Sequence, residues 1–355
     1  MNLKSRRFVL RGLFTSFPLK QLIKEFIMKN VASFILLFVF LVCLDKPSNA
    51  QDRLDPASFN GKEEITIVVT DSGLGGLSVM DDVAKKMKSS GSFKKVKLIF
   101  VNALFDSNSG YNALKTREEK IGIFNNVLTG IEQKFHPDAI LIACNTLSVL
   151  YRETDFVKKS KTPIFGIVEP GVQLIAERML SDPTSAVILF GTETTIEEAN
   201  HLKALLALNI SDKRIVTKSC PQLQSYIEQN PEGEETEMLI SVYLNEALEH
   251  LPKTDGLIYL SLNCSHFGYS EPLWRKAFAG TSYKLGGIID PNFRMADLLI
   301  TKKSEGRYTD TILSYLVVSK IELLNADAMF QVFSKKSPEM ALAIKKYQLM
   351  PALFK

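Results

Sequence analysis

The sequence predicts an α/β fold of two pseudo-symmetric lobes, each a mainly parallel sheet flanked by helices, with a cleft between them. Three observations support this prediction. Short apolar runs alternate with segments of helical periodicity, which is typical of repeated strand–helix units. Two of the runs, 139–143 and 257–262, lead to Cys144 and Cys264. Because open α/β sheets place their chemistry at the carboxyl edge, we expect the two thiols to face one pocket.

The predicted strands are runs rich in β-branched and other apolar residues. They cover 64–70, 96–101, 139–143, 163–168, 186–190, 214–217, 257–262 and 283–289. Helices are predicted where apolar residues recur at helical spacing, at 77–87, 117–135, 147–157, 196–208 and 232–251, with another ending near 179. The first strand ends at the turn Asp71-Ser72-Gly73-Leu74-Gly75-Gly76. This turn fails the dinucleotide fingerprint because Ser78 occupies the position of the third glycine.

Composition places the chain among ordinary globular proteins with room for two domains. It has 355 residues, of which 46% are hydrophobic and 23% charged. The net charge of +4 arises in residues 1–50, which contain eight Lys or Arg and two Asp or Glu, so that the remainder carries 35 basic and 37 acidic residues. The body of the chain therefore gives no indication of nucleic-acid binding.

Residues 1–50 are predicted to be a presequence with a signal peptide, and translation is predicted to start at Met28. A basic start is followed by the apolar stretch 31–44 and by the small-residue cleavage site Ser48-Asn49-Ala50. We therefore expect export to the periplasm or cell envelope, with no stable membrane span after cleavage. An uncleaved membrane anchor is the alternative.

The predicted domain organisation follows from the order of the strands and helices. Residues 51–61 are expected to be a linker. Lobe 1 comprises 62–163 and 281–305, and lobe 2 comprises 164–280. Residues 306–355 are expected to form a helical C-terminal extension.

Three cysteines, Cys144, Cys220 and Cys264, lie in the body of the chain, and their spacing fits no zinc motif. A cysteine between a strand and a helix start is expected to have a lowered pKa. Neighbouring polar residues, Asn145 and Thr146 on one side and Ser265 and His266 on the other, can donate hydrogen bonds to a ligand carboxylate. One thiolate could then remove a proton from carbon while the other thiol returns one on the opposite face. Cys220 is predicted to be a small buried apolar residue.

Six motifs occur in an order that resembles the glutamate racemases and the wider aspartate/glutamate racemase superfamily, over about 64–302. They are Asp71-Ser72-Gly73 with Gly75-Gly76, Ala143-Cys144-Asn145-Thr146, Glu169-Pro170-Gly171, Gly191-Thr192 with Thr195-Ile196, Cys220-Pro221 with Glu228, and Cys264-Ser265-His266.

The resemblance implies an isomerase that interconverts L- and D-glutamate, or aspartate, without a cofactor or a metal. It assigns the two bases to Cys144 and Cys264, assisted by Asp71, Glu228 and His266. It assigns substrate contacts to Ser72, Tyr111, Asn145, Thr146, Thr195 and Ser265. The expected partner is a small acidic amino acid, and the resemblance is compatible with a homodimer and with a role in cell-wall biogenesis.

The sequence departs from the family pattern at Asn112, Asn263 and Gly268. Two alternatives are open, the first of them motivated by Asn112, Asn263 and the predicted export signal. One is an exported protein that binds acidic amino acids without turnover, and the other is a different isomerase or decarboxylase of the superfamily.

Overall fold

The structure is a computed structural model that describes residues 56–107, 109–252 and 254–355. The predicted presequence, with its signal peptide, and residues 51–55 of the predicted linker lie outside the described residues. Within the described ranges, no helix is both long enough and apolar enough to cross a membrane.

The strands, in chain order, are β1 (Glu64–Asp71), β2 (Lys95–Asn102), β3 (Ala139–Ile142), β4 (Ile164–Gly166), β5 (Ala186–Gly191), β6 (Ile215–Ser219), β7 (Leu257–Asn263), β8 (Lys284–Ile289), β9 (Ile312–Ser319) and β10 (Gln348–Leu349). The α-helices are α1 (Leu77–Ser90), α2 (Arg117–Phe135), α3 (Asn145–Ser148), α4 (Asp155–Lys159), α5 (Val168–Ser181), α6 (Glu193–Glu198), α7 (Asn200–Ala207), α8 (Leu223–Gln229), α9 (Glu234–Glu249), α10 (Glu271–Ala279), α11 (Ala326–Ser334) and α12 (Pro338–Lys345). Short 3₁₀ turns include Pro56–Phe59, Tyr111–Ala113, Phe267–Ser270 and Asn292–Leu299.

The strands form two parallel sheets. Sheet 1 has the order β10-β9-β2-β1-β3-β4, and sheet 2 has the order β6-β5-β7-β8. Every strand pair in both sheets is parallel. The register aligns Asp71 with Asn102 in sheet 1 and Gly191 with Asn263 in sheet 2, so the carboxyl ends of neighbouring strands lie level. The predicted α/β class with two mainly parallel sheets is confirmed.

Both faces of each sheet are buried. Successive residues of β1 alternate, with Ile67 and Val69 in one apolar cluster and Val68 in the cluster on the opposite face. Sheet 2 likewise separates two clusters, one containing Ile188 and the other Val187. Helices on both faces explain why the strands are continuous apolar runs and not alternating ones.

The structure corrects the predicted lobe boundaries at two points. β4 pairs with β3 in sheet 1, whereas residue 164 was expected to begin lobe 2. β8 pairs with β7 in sheet 2, although 281–305 was assigned to lobe 1. The reason is the same in both cases, because a strand that follows a strand–helix unit pairs preferentially within the same parallel sheet. The chain therefore passes to lobe 2 after β4 and returns after β8.

The ends of the described region also differ from the prediction. Residues 306–355 are not a purely helical extension, because β9 pairs along its whole length with β2 and β10 pairs with β9. The run ILSYLVVS of β9 is rich in β-branched residues, which favour a strand. In the predicted linker, Phe59 is 3% exposed and belongs to the core of lobe 1.

Candidate active site

The carboxyl edges of the two sheets face each other across a cavity of about 470 Å³. On the lobe 1 side, β1 ends at Asp71 and β3 leads to Cys144. On the lobe 2 side, β5 leads to Thr192 and β7 leads to Cys264. Both cysteines line the cavity, as the strand pattern predicted.

Most of the predicted site residues line this cavity. They are Asp71, Ser72, Tyr111, Cys144, Asn145, Thr146, Glu228, Cys264, Ser265 and His266. Thr195 is the exception, because it is not among the described residues that line the cavity. Its hydroxyl lies 3.0 Å from the hydroxyl of Thr192, which in turn lies 2.8 Å from that of Thr146. Thr192 lines the cavity in its place. The Gly191-Thr192 motif carried the signal for Thr192, but the prediction chose the later threonine.

Cys144 is buried at 5% exposure, and its Sγ lies 3.0 Å from the Ser72 hydroxyl. Burial, followed by the negative charge of Asp71, raises the pKa of this thiol far above its ordinary value, although the Ser72 hydrogen bond acts in the opposite direction. The predicted lowering of the Cys144 pKa by the following helix is therefore wrong. That helix, α3, has only four residues, and the macrodipole of so short a helix does not outweigh burial beside a carboxylate.

Asp71 joins the two lobes at the base of the cavity. The Ser265 hydroxyl of lobe 2 donates a hydrogen bond of 2.6 Å to its Oδ2. Its Oδ1 has no hydrogen-bond partner among the described residues. Burial raises the pKa of Asp71 from 3.8 to about 6, although the charge of His266 and the Ser265 hydrogen bond act against the rise. Asp71 can therefore exchange a proton close to neutral pH.

Cys264 faces a different pair of groups. Its Sγ lies 3.8 Å from Nδ1 of His266, and Nε2 of His266 lies 2.7 Å from Oε2 of Glu228. Burial alone would lower the pKa of His266, but hydrogen bonds with Cys264 and Glu228 outweigh it and raise the pKa well above its ordinary value. Burial would raise the pKa of Glu228, but the hydrogen bond and charge of His266 outweigh it and lower the pKa. The pair therefore favours an imidazolium beside a carboxylate.

Glu228 was predicted only from its distance in sequence after Cys220, and the structure brings it to the centre of the site. The backbone N–H of Leu74 donates to its Oε2 at 2.8 Å, and Nδ2 of Asn325 donates to its Oε1 at 3.1 Å. Asn325 lies in the segment for which the sequence offered no chemical signal. The structure alone reveals this contact.

The glycines after β1 allow lobe 1 to approach residues 265 and 266 of lobe 2 closely. A Cβ on Gly75 would lie 2.4 Å from Oγ of Ser265 and 2.5 Å from Nδ1 of His266. A Cβ on Gly73 would lie 3.0 Å from Oε2 of Glu228. Such distances leave no space for a side chain. The glycine turn therefore serves the packing of the two lobes.

Asn145 offers unused hydrogen-bonding groups to the cavity. Its side chain is 2% exposed, and neither its Nδ2 nor its Oδ1 has a partner within the described part of the chain. Buried amides are almost always paired. An unpaired amide in the wall of a cavity therefore indicates a ligand-binding group.

The departures from the family pattern are accommodated locally. Asn263 is buried and turned onto its own strand, where Nδ2 donates to the Ser261 carbonyl and Oδ1 accepts from the Ser261 hydroxyl, both at 3.1 Å. Asn112 lines the cavity, and its Oδ1 accepts from the Thr194 hydroxyl at 2.8 Å. At Gly268 a Cβ would lie 2.1 Å from Oδ2 of Asp290. The polar groups of the Asn263 side chain thus find their partners within β7.

The described lining of the cavity contains no lysine and no arginine. A ligand carboxylate would therefore be held by neutral donors, such as the amide of Asn145 and the hydroxyls of Ser72 and Thr146. Across the described ranges, no group of three or more His, Cys, Asp or Glu side chains is arranged to hold a metal ion.

Comparison with known proteins agrees with this geometry. No family model matches the chain. The chain is 29% identical over 233 residues to the glutamate racemase of Sulfurihydrogenibium sp. (strain YO3AOP1), covering 66% of this chain and 81% of that protein. The predicted resemblance to the glutamate racemases of the aspartate/glutamate racemase superfamily is therefore confirmed.

Two solved structures show the same fold as this chain. The glutamate racemase of Campylobacter jejuni has a TM-score of 0.57 and 22% identity, covering 77% of this chain and 98% of that one. The Escherichia coli glutamate racemase, solved with L-glutamate and an activator, has a TM-score of 0.54 and 19% identity, covering 77% of this chain and 95% of that one. At these identities the similarity establishes the fold alone.

Proposed function

We propose that this protein interconverts L- and D-glutamate without a cofactor, by proton transfer between the α-carbon and two thiols, Cys144 and Cys264. Aspartate is the alternative substrate. The observation that carries the proposal is the pair of buried thiols in one cavity, each delivered by a different lobe and each with its own acid–base partners.

The coarser part of this statement, an enzyme of the amino-acid racemase class, follows from the similarity to curated glutamate racemases over most of their length. The substrate rests on the bound L-glutamate of the Escherichia coli structure. It also rests on the neutral donors, such as Asn145, that line the cavity of this chain.

The surroundings of the two thiols suggest different resting states. The protonated His266 places positive charge beside the sulfur of Cys264, whereas the carboxylate of Asp71 places negative charge beside Cys144. In the proposed cycle Cys264 begins as the thiolate and Cys144 as the thiol. In one direction the Cys264 thiolate takes the α-proton, and the electron pair of the C–H bond stays on the α-carbon. The Cys144 thiol then donates its proton to the opposite face of that carbon.

This transfer leaves the two cysteines with exchanged protonation states, and it yields the opposite enantiomer with no net gain or loss of protons. Asp71, with a pKa of about 6, is placed to take up a proton and deliver it to the Cys144 thiolate when the enzyme resets. The same groups serve the reverse reaction with the order of the thiols exchanged.

The test is α-proton exchange together with inversion. Purified protein under reducing conditions is incubated with L-glutamate, and separately with L-aspartate, in heavy water. NMR follows loss of the α-proton, and chiral chromatography follows formation of the D-isomer. We expect both processes in the wild type, and a loss of at least a thousandfold in racemisation in Cys144→Ala and in Cys264→Ala, because each variant lacks one base.

Cys220→Ala is the matched control, because Cys220 is also a buried free thiol but stands outside the cavity lining. It should retain racemisation. Normal racemisation in both Cys144→Ala and Cys264→Ala would refute the two-thiol mechanism. Binding of glutamate with no α-proton exchange in the wild type would instead establish a binding protein of racemase fold.

A further inference from the structure

Asn325 occupies the N-cap position of α11 but does not act as a cap. An asparagine at this position usually accepts a hydrogen bond from a backbone N–H in the first turn of its helix. Here the side chain accepts none from the described backbone of α11. It points to the cavity, where its Nδ2 donates to Oε1 of Glu228 at 3.1 Å. The helix forgoes a stabilising cap in favour of a contact with the site.

This contact completes the hydrogen bonding of a buried carboxylate. Oε2 of Glu228 is occupied by the Leu74 N–H at 2.8 Å and by Nε2 of His266 at 2.7 Å. Asn325 engages the other oxygen, so both ends of the carboxylate are fixed. His266 in turn reaches Cys264 through its second nitrogen, at 3.8 Å. A continuous chain of polar contacts therefore runs from the C-terminal region to one of the thiols.

The segment 321–325 is itself anchored, so Asn325 is held in place. The backbone N–H of Leu323 donates to the Tyr347 hydroxyl at 3.3 Å, and Leu323 is 8% exposed within the core of lobe 1. The segment forms part of the cavity wall. The helix that follows this segment, α11, is also anchored, because its Phe333 packs edge to face against Tyr269, with ring centroids 6.0 Å apart.

We propose that Asn325 is a positioning residue that holds the Glu228 carboxylate in the orientation in which it supports His266 beside Cys264. The role is specific to one of the two thiols, because no described contact of Asn325 reaches Cys144. This inference rests on the proposed two-thiol function for its kinetic consequences. Its structural consequence, the state of His266, is independent of that function.

The charges around Glu228 determine how the loss of Asn325 should change the protonation of Glu228 and His266. The titratable groups facing Glu228 are His266 at contact distance, together with Asp71 and Tyr269. Burial is the main cause of the raised pKa values of Asp71 and Tyr269, and the charge of Glu228 adds to it. The hydrogen bond from Asn325 helps to keep the pKa of Glu228 low. In Asn325→Ala the carboxylate is therefore harder to ionise, and the His266 imidazolium loses part of its support.

The first measurement is an NMR titration of the imidazole rings in protein labelled at histidine. The chain has four histidines, so the His266 signal can be assigned by its absence in His266→Gln. In Asn325→Ala the titration midpoint of His266 should fall, because the carboxylate that supports the imidazolium loses the hydrogen bond that fixes its second oxygen. The control is Asp327→Asn, an exposed residue of the same helix, which should leave the midpoint unchanged. An unchanged midpoint in Asn325→Ala would overturn the proposal.

The second measurement uses kinetics to show which thiol is affected. Asn325→Ala should lower kcat about tenfold and change KM less than twofold. In this variant the primary deuterium isotope effects on racemisation, measured with each α-deuterated enantiomer as substrate, should become unequal. The isotope effect should be larger for the enantiomer that Cys264 deprotonates. Ser72→Ala, beside Cys144, should produce the opposite inequality. Equal isotope effects in Asn325→Ala would refute the assignment to one thiol. Absence of racemisation in the wild type, with the shift of His266 present, would refute only the proposed function.

Discussion

Replacement of Gly75 by alanine should disable the site without unfolding the protein. The added Cβ would lie 2.4 Å from Oγ of Ser265, 2.5 Å from Nδ1 of His266 and 2.8 Å from its Cε1. Both side chains would have to move by about 1 Å to reach an ordinary van der Waals distance. The hydrogen bond from Ser265 to Asp71 at 2.6 Å, or that between His266 and Glu228 at 2.7 Å, would then be broken.

The expected fall in kcat/KM follows from the energy of the hydrogen bond that is lost. A hydrogen bond to a charged group contributes about 1.5–3 kcal/mol, which corresponds to a fall in kcat/KM of about 10- to 150-fold. The assay is the initial rate of D-glutamate formation as a function of L-glutamate concentration, with the unfolding temperature measured on the same samples. A variant with kcat/KM within twofold of the wild type would refute the view that this close approach positions Ser265 and His266.

Gly122→Ala is the matched control. Gly122 lies in α2, and an added Cβ meets no heavy atom within 4 Å among the described residues. Alanine favours a helix interior over glycine by about 0.5–1 kcal/mol, so this variant should be slightly more stable and fully active.

Two further predictions concern polar groups of the cavity. Asp71→Asn should be more stable than the wild type at pH 7, by up to about 3 kcal/mol, because a carboxyl whose pKa is raised from 3.8 to about 6 destabilises the fold once it ionises. Thermal unfolding should show this gain in stability above pH 6. The gain should be lost as the pH falls below about 4, where Asp71 is protonated in both the folded and the unfolded protein, and an equal gain at pH 4 would contradict the reasoning. The kcat/KM of the variant should be lower than that of the wild type at every pH. Asn145→Ala should raise KM at least tenfold while its stability to urea stays within about 1 kcal/mol of the wild type, because removing an unpaired buried amide offsets the packing that is lost. A large loss of stability would show that Asn145 is structural.

The sequence was sufficient for strands β1 to β8 and for the two thiols. A strand buried on both faces appears as an uninterrupted apolar run, and a polar cluster at its end marks the carboxyl edge of the sheet. Cys144 and Cys264 follow such runs, which is why their meeting in one cavity could be predicted. The order of motifs added Asp71, Glu228 and His266, and the structure brings all three to the same cavity.

What the sequence could not provide was pairing between distant segments. Periodicity describes a segment by itself, so it did not reveal that β9 pairs with β2 or that β8 belongs to sheet 2. The same limit applies to Asn325, which lies 97 positions from Glu228 in the sequence. The Cys144 pKa was misjudged because burial and the Asp71 charge depend on the assembled lobe.

The pairing of β9 with β2 has a consequence for how the chain is made. Sheet 1 takes β1 to β4 from the first part of the chain and β9 with β10 from the last, with all of sheet 2 between them. During synthesis, sheet 2 can be completed while β2 still has a free edge. An unpaired edge of eight residues, KVKLIFVN, is a template for association with other chains. Lysines at positions 95 and 97 oppose such association until β9 emerges and covers the strand.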